Sequence, residues 1–209
     1  MNKCYFVPDQ GVVVKICATA ESARREVEGA RVFRKIVITS EPKVVDSRTV
    51  LMKIVEGEPS PAFSDQIVNV LVRDLLRRSV AMSLKTEMRT SAFSIQRLID
   101  ELIKKYAYSQ DILRFLTQLQ KDIELKPLVP IHGDLQKENM LISPSGELIV
   151  IDFEHFCYAP IEFELVNSMF HSDGNCLDIQ FQLSELRKIT DISDELIRKA
   201  LVLYALKRV

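Results

Sequence analysis

The sequence predicts an α+β chain in two lobes: a small β-rich lobe with one helix over residues 1–57, and a larger, mainly helical lobe over 58–209. Three observations lead there. Short β-branched and aromatic runs, separated by turn residues, occupy much of the first lobe. The stretch "EGEPSP" at 56–61 then breaks regular structure with one glycine and two prolines. Beyond it, apolar residues recur at helical spacing from about residue 62 to residue 125.

The elements follow in order. "KCYFV" (3–7) and "VVVKI" (12–16), with Pro8-Asp9-Gln10-Gly11 between them, predict a hairpin. "ESARREVEGARVFRKI" (21–36) predicts a helix with Ala23, Val27, Ala30 and Phe33 on one stripe. Thr19 is placed to cap it, and Glu21 and Glu26 lie towards its positive end. "KIVIT" (35–39) and "TVLMKIV" (49–55) predict two further strands. Helical spacing then links Ile67, Val70, Leu71, Leu75 and Leu76, next Ile95, Leu98 and Leu102, and next Leu113, Leu116 and Leu119. Helices resume near 161 and 194 after an apolar hairpin, and there are no internal repeats.

Bulk composition narrows the function classes. The chain has 209 residues, is 47% hydrophobic and 27% charged, and has formal net charge −1. That balance excludes the broad basic footprint of a nucleic-acid binder. No apolar run reaches the roughly 18 residues of a membrane span, and the N-terminus lacks a signal-peptide pattern. A cytoplasmic protein without membrane or nucleic-acid partners is expected. Residues 73–89, with five basic and two acidic side chains, read as a solvated helix face. Residues 158–197 carry eight acidic and two basic side chains and lean towards a cationic substrate or partner. Cys4, Cys17, Cys157 and Cys176 are far apart and read as reduced, buried thiols. His155, Cys157, His171 and Cys176 have none of the usual zinc spacings, though they define a rival metal-binding reading. Oligomeric state leaves no mark in the sequence.

The chemistry concentrates in "IHGDLQKENMLISPSGELIVIDFEHF" (131–156). "NMLI" and "LIVIDF" are apolar runs joined by Pro144-Ser145-Gly146-Glu147, a turn signal. Centring the turn on Ser145-Gly146 opposes 143 to 148, 141 to 150, and Asn139 to Asp152. Opposed residues project to the same face, so a carboxylate and an amide oxygen are expected side by side. Such a pair suits Mg²⁺, which takes oxygen ligands and keeps waters and substrate phosphates. Asp134 follows Pro130 and Gly133 on a segment that resists helix. A carboxylate there could accept the proton of an attacking hydroxyl.

"HGDLQKEN" followed by "IVIDFE" resembles the catalytic and metal-binding segments of the aminoglycoside phosphotransferase and choline kinase family, whose fold is protein-kinase-like. "VLMKIVEGEP" (50–59) is similar to that family's hinge strand and linker, "VVVKI" to its lysine-bearing strand, and 21–36 to its glutamate-bearing helix. The resemblance implies transfer of the γ-phosphate of ATP or GTP to a small hydroxylated substrate with Mg²⁺ as cofactor. It implies Asp134 as catalytic base and Asn139 and Asp152 as Mg²⁺ ligands. Lys15 would bind the α- and β-phosphates and pair with Glu26, or with Glu28 as fallback. The backbone of Lys53 to Val55 would meet the purine edge, His132 would brace the catalytic loop, and Glu164 would be structural.

Departures from kinase patterns also carry information. Gln136 stands two places after Asp134, where Ser/Thr protein kinases have lysine. Residues 152–154 read Asp-Phe-Glu, and no Ala-Pro-Glu follows, which favours a small-molecule kinase over a protein kinase. No Gly-x-Gly-x-x-Gly precedes Lys15, so a first strand and its phosphate-covering loop are expected to be missing, with slow turnover. A nucleotide-binding relative that regulates a partner without turnover is the alternative reading.

Overall fold

A computed structural model describes residues 2–82, 94–169 and 178–208. The first lobe is a four-stranded antiparallel sheet, in the order β1-β2-β4-β3, packed on one helix. Strands β1 (Lys3–Val7) and β2 (Val12–Ile16) pair from Lys3 opposite Ile16 to Val7 opposite Val12. Strand β4 (Thr49–Lys53) runs along the other edge of β2, with Lys15 opposite Val50, and β3 (Lys43–Val44) closes the order. Helix α1 (Ala20–Phe33) begins at Thr19, whose hydroxyl accepts the Ser22 N–H at 3.0 Å. Its buried face includes Ala23, Glu26, Gly29, Ala30 and Phe33.

"KIVIT" is not a strand. After α1 the chain keeps winding, as Lys35 N–H donates to Val32 O and Ile36 N–H to Phe33 O. Only Ile38 is extended, as a bridge beside Ile149 in the second lobe. The third strand partner is instead the short β3.

The second lobe is built on α2 (Asp65–Ala81), α3 (Ile95–Lys105), α4 (Gln110–Glu124), α5 (Ile161–Met169), α6 (Ile179–Leu186) and α7 (Asp194–Arg208). Val68, Val72, Leu75 and Leu76 are the buried residues of the α2 stripe, whereas Ile67 is 48% exposed, so the stripe is rotated from the predicted one. Inserted among the helices are β5 (Glu58–Pro59), β6 (Val129–Ile131), β7 (Met140–Ile142), β8 (Leu148–Val150) and β9 (Cys157–Ala159). They form a three-stranded sheet, β5-β7-β8, and a β6-β9 pair. The larger core joins the end of α1 to the second lobe, with Phe33, Phe153, Phe156 and Leu135 fully enclosed, and a smaller one of Cys17, Ala23 and Val50 lies between the first sheet and α1.

The β7-β8 hairpin is one residue out from the predicted register. Met140 faces Val150 and Ile142 faces Leu148, which opposes Asn139 to Ile151 rather than to Asp152. The cause is the loop. Ser143 accepts the Gly146 N–H through its carbonyl at 2.9 Å, and Gly146 takes φ 82 before the strand resumes. A turn followed by a left-handed glycine makes a three-residue connection, one residue longer than the two-residue loop the sequence predicts. Among the described residues no helix is long and apolar enough to cross a membrane. Cys17 and Cys157 are buried thiols, but Cys4 is exposed, against expectation. Cys176 and His171 lie outside the described residues, as does much of the 73–89 basic stretch.

Candidate active site

The inner face of the first sheet roofs a cavity of about 290 Å³, with Lys15, Glu26, Lys53, Val55, Ile151 and Asp152 in its wall. Lys15 is 2% exposed, because its place opposite Val50 turns it towards α1. Its ammonium donates to Glu26 Oε2 at 2.6 Å and to Asp152 Oδ1 at 2.7 Å. Burial alone would pull the Lys15 pKa down, but the charges of Glu26 and Asp152 reverse this and hold it well above the ordinary lysine value. The lysine is therefore a fixed positive charge. Glu28, two residues on and on the other side of α1, pairs with Arg31 instead, at 2.6 Å.

At the edge of the cavity the Ile54 N–H donates to Gly11 O at 2.9 Å. That amide is committed to the sheet. The alternation of an antiparallel ladder turns the adjacent Lys53 peptide away from β2. Lys53 and Val55 flank Ile54 on the cavity wall.

Asp134 lies on the loop after β6, and its carboxylate is held by neighbours on its own chain segment. The Asn139 amide nitrogen donates to Asp134 O and to Asp134 Oδ2, both at 2.9 Å. The Gln136 amide donates to the same Oδ2 at 3.2 Å. A 3-10 turn, Lys137–Asn139, closed by Asn139 N–H to Gln136 O at 3.0 Å, brings both amides round to Asp134.

His132 sits behind this loop, fully buried. Its Nδ1 accepts the Asp134 N–H at 3.2 Å, which assigns the ring proton to Nε2, 2.9 Å from Ile151 O. Burial holds its pKa below the ordinary histidine value, in keeping with a neutral ring. The imidazole thus ties the Asp134 loop to the strand leading into Asp152. From below, α5 grips the same loop with two side chains one turn apart. Glu164 accepts the backbone N–H of His132 and, at 3.3 Å, of Gly133. Ser168 shares its one hydroxyl proton between Leu135 O at 3.1 Å and Glu164 O, one turn back on α5, at 3.0 Å. Burial pushes the Glu164 pKa up to about 7, against the pull of these N–H donors. The helical spacing of Glu164 and Ser168 is visible in the sequence; their partners, some thirty residues earlier, are not.

Asp152 is the one described non-glycine residue with positive φ, at 67. Strand β8 has ended, and the left-handed backbone is where the chain turns off to begin Phe153–Glu154. Asp152 and Asn139 offer hard oxygen donors: Asp152 its carboxylate, Asn139 the amide oxygen opposite the nitrogen engaged by Asp134. Among the described residues no group of three or more His, Cys, Asp or Glu could hold a metal. Magnesium that arrives with nucleotide phosphates takes few oxygens from the protein and retains water.

A family model described as the phosphotransferase enzyme family matches residues 4–188. Among solved structures, Plasmodium vivax ethanolamine kinase is 12% identical with a TM-score of 0.66, over 99% of this chain and 73% of that one. Choline kinase LicA from Streptococcus pneumoniae is 16% identical with a TM-score of 0.61, over 98% and 78%. Aminoglycoside phosphotransferase APH(2'')-Ib bound to ADP is 14% identical with a TM-score of 0.60, over 100% and 84%. No curated protein matches by sequence. At such identities the structural likeness is one of fold, the two-lobed kinase-like architecture. With the family model spanning most of its length, the chain belongs to the phosphotransferase enzyme family.

Proposed function

We propose that the protein transfers the γ-phosphate of ATP or GTP to a hydroxyl of a small molecule in a Mg²⁺-dependent reaction. The observation that carries this reading is the run Glu26–Lys15–Asp152, joined at 2.6 and 2.7 Å in the wall of one cavity. A buried, permanently charged ammonium held between two carboxylates suits the α- and β-phosphates of a nucleotide. The backbone of Lys53 and Val55 would receive the purine. Asn139 and Asp152 would hold Mg²⁺, which when bound offsets phosphate charge. Asp134 would take the proton of the acceptor hydroxyl as its oxygen forms a bond to the γ-phosphorus. The bond from that phosphorus to the bridging oxygen breaks, and the nucleoside diphosphate leaves with those electrons.

For the acceptor, the acidic bias of 158–197 favours a cationic alcohol. Neighbouring folds include an ethanolamine kinase, a choline kinase and a structure complexed with gentamicin. One observation favours a nucleotide-binding protein without turnover: the turn that joins β1 to β2, Pro8–Gly11, is short and carries a single glycine over the cavity edge.

Thermal unfolding with ATP or GTP, with and without Mg²⁺, tests the nucleotide site. Saturation at about 100 times the dissociation constant adds about 2.7 kcal/mol, a rise of roughly 5–10 °C at this size. The rise should vanish in Asp152→Ala and persist in Asp134→Ala, while Asp134→Ala loses all phosphate transfer. A Mg²⁺-dependent rise without transfer to any of a panel of amino alcohols and aminoglycosides would favour the non-catalytic reading.

A further inference from the structure

We infer that Gln136 is a positioning residue of the transfer step, acting through Asp134; the inference rests on the phosphotransferase reading above. Its side-chain amide and that of Asn139 end on one and the same atom, Oδ2 of Asp134, at 3.2 and 2.9 Å. Two N–H donors on one carboxylate oxygen fix the plane of the carboxylate, since its rotation about the Cβ–Cγ bond breaks both. The backbone of Gln136 does a second job. Its carbonyl accepts the Asn139 N–H at 3.0 Å and closes the turn that presents Asn139. One residue therefore sets the orientation of the base and the seat of a metal-side ligand together.

The chemical character of the donors matters as much as their geometry. Both are neutral amides, so they orient Asp134 without supplying a positive charge to its carboxylate. A base that must take a proton from an alcohol benefits from keeping that charge. Orientation is the other requirement, because a catalytic group displaced by a fraction of an ångström loses much of its effect. Gln136 is half-buried, and its amide is committed to the Asp134 carboxylate, which distinguishes it from a solvated loop glutamine.

The test uses Mg·ATP with water as the acceptor, followed by phosphate release, so no acceptor needs to be known. Gln136→Met keeps the length of the side chain and removes its donor; Gln136→Lys restores a donor; Gln136→Glu replaces the donor with a repelling acceptor. The expected result is a kcat about tenfold lower in Gln136→Met and Gln136→Glu, the loss of one hydrogen bond to a charged group. KM for Mg·ATP should stay within about twofold, because the residue touches the base and not the nucleotide. Gln136→Lys should recover a measurable part of kcat over Gln136→Met. Thermal midpoints of the three variants identify any that fail to fold, and the comparison is made among those that fold. A packing role predicts the reverse order, with Gln136→Met near wild type and Gln136→Lys worst, and that order overturns the inference. Wild-type kcat in Gln136→Met also overturns it while leaving the phosphotransferase reading intact. No phosphate release to water and no transfer to any of the panel of amino alcohols and aminoglycosides by wild type, with the Mg·ATP thermal shift present, overturns both.

Discussion

Lys15 stands 2.6 Å from Glu26 and 2.7 Å from Asp152, so one ammonium joins strand β2, helix α1 and the segment after β8. Glu26 is 1% exposed. Removing its cation leaves a charge in the core without the ammonium that does most to offset its desolvation. Lys15→Met should therefore cost about 3 kcal/mol in urea unfolding, and adding Glu26→Gln should restore a large part of it. If the double variant is no more stable than Lys15→Met, the pair does not act as a coupled buried ion pair.

Asp152 carries a different burden, its backbone. At φ 67 a side chain crowds the peptide, and glycine relieves this at a gain of about 1 kcal/mol. Asp152→Gly should thus be more stable than Asp152→Ala, both having lost the Lys15 contact. Neither should show Mg²⁺-dependent stabilisation by nucleotide. Equal midpoints for the two would mean that the local backbone relaxes without strain.

Much of this was legible in the sequence, and the misses have physical causes. The β1-β2 hairpin, the Thr19 cap and the Glu26 face of α1 follow from local patterns that tertiary packing does not override. The β7-β8 register was missed because Gly146 adopts a left-handed conformation, and turn type is not fixed by the dipeptide alone. "KIVIT" has strand composition, yet it winds off α1 before Ile38 docks beside β8. Helix α6 is short, and in its sequence Ile179, Phe181 and Leu183 alternate as a strand would. The grip of Glu164 and Ser168 on the loop of Asp134 joins residues thirty-one to thirty-three apart, beyond any periodicity.

That grip is pH-dependent. Burial raises Glu164 from 4.5 to about 7, so between these values the folded chain holds a proton that the unfolded chain releases. The associated stability is fully present below pH 4.5 and is lost as pH rises through about 7. Glu164→Gln removes this titration. Relative to wild type, the variant should be more stable at pH 8 than at pH 5 by on the order of 3 kcal/mol, read from urea midpoints. A pH-independent difference would place the Glu164 pKa near its ordinary value in the folded state.

Ser168 supplies the opposite half of the grip. It is 2% exposed, and its hydroxyl reaches Leu135 O at 3.1 Å. Ser168→Ala deletes that donor and should cost about 1–2 kcal/mol, with a fall in kcat as the loop loosens. Ser168→Thr retains the donor and should keep more of kcat than Ser168→Ala. The reverse ranking would show that space, and not the hydrogen bond, is what matters at this position.

Helix α1 rests on the chain after Asp152 with almost nothing between them. A Cβ at Gly29 would lie 2.6 Å from Phe153 Cβ and 2.8 Å from Phe156 Cβ, and Arg25 donates to Phe156 O at 3.0 Å. Helix and segment are therefore pressed together as one rigid slab that carries Glu26 on one side and Asp152 on the other. Widening the cavity by swinging α1 outward would tear that slab apart. Bending the chain around Ile54 would pull on the same contacts, because α1 and Lys15 belong to the first lobe while Asp152 and Phe153–Phe156 belong to the second, so the charged run through Lys15 acts as a bolt between the lobes.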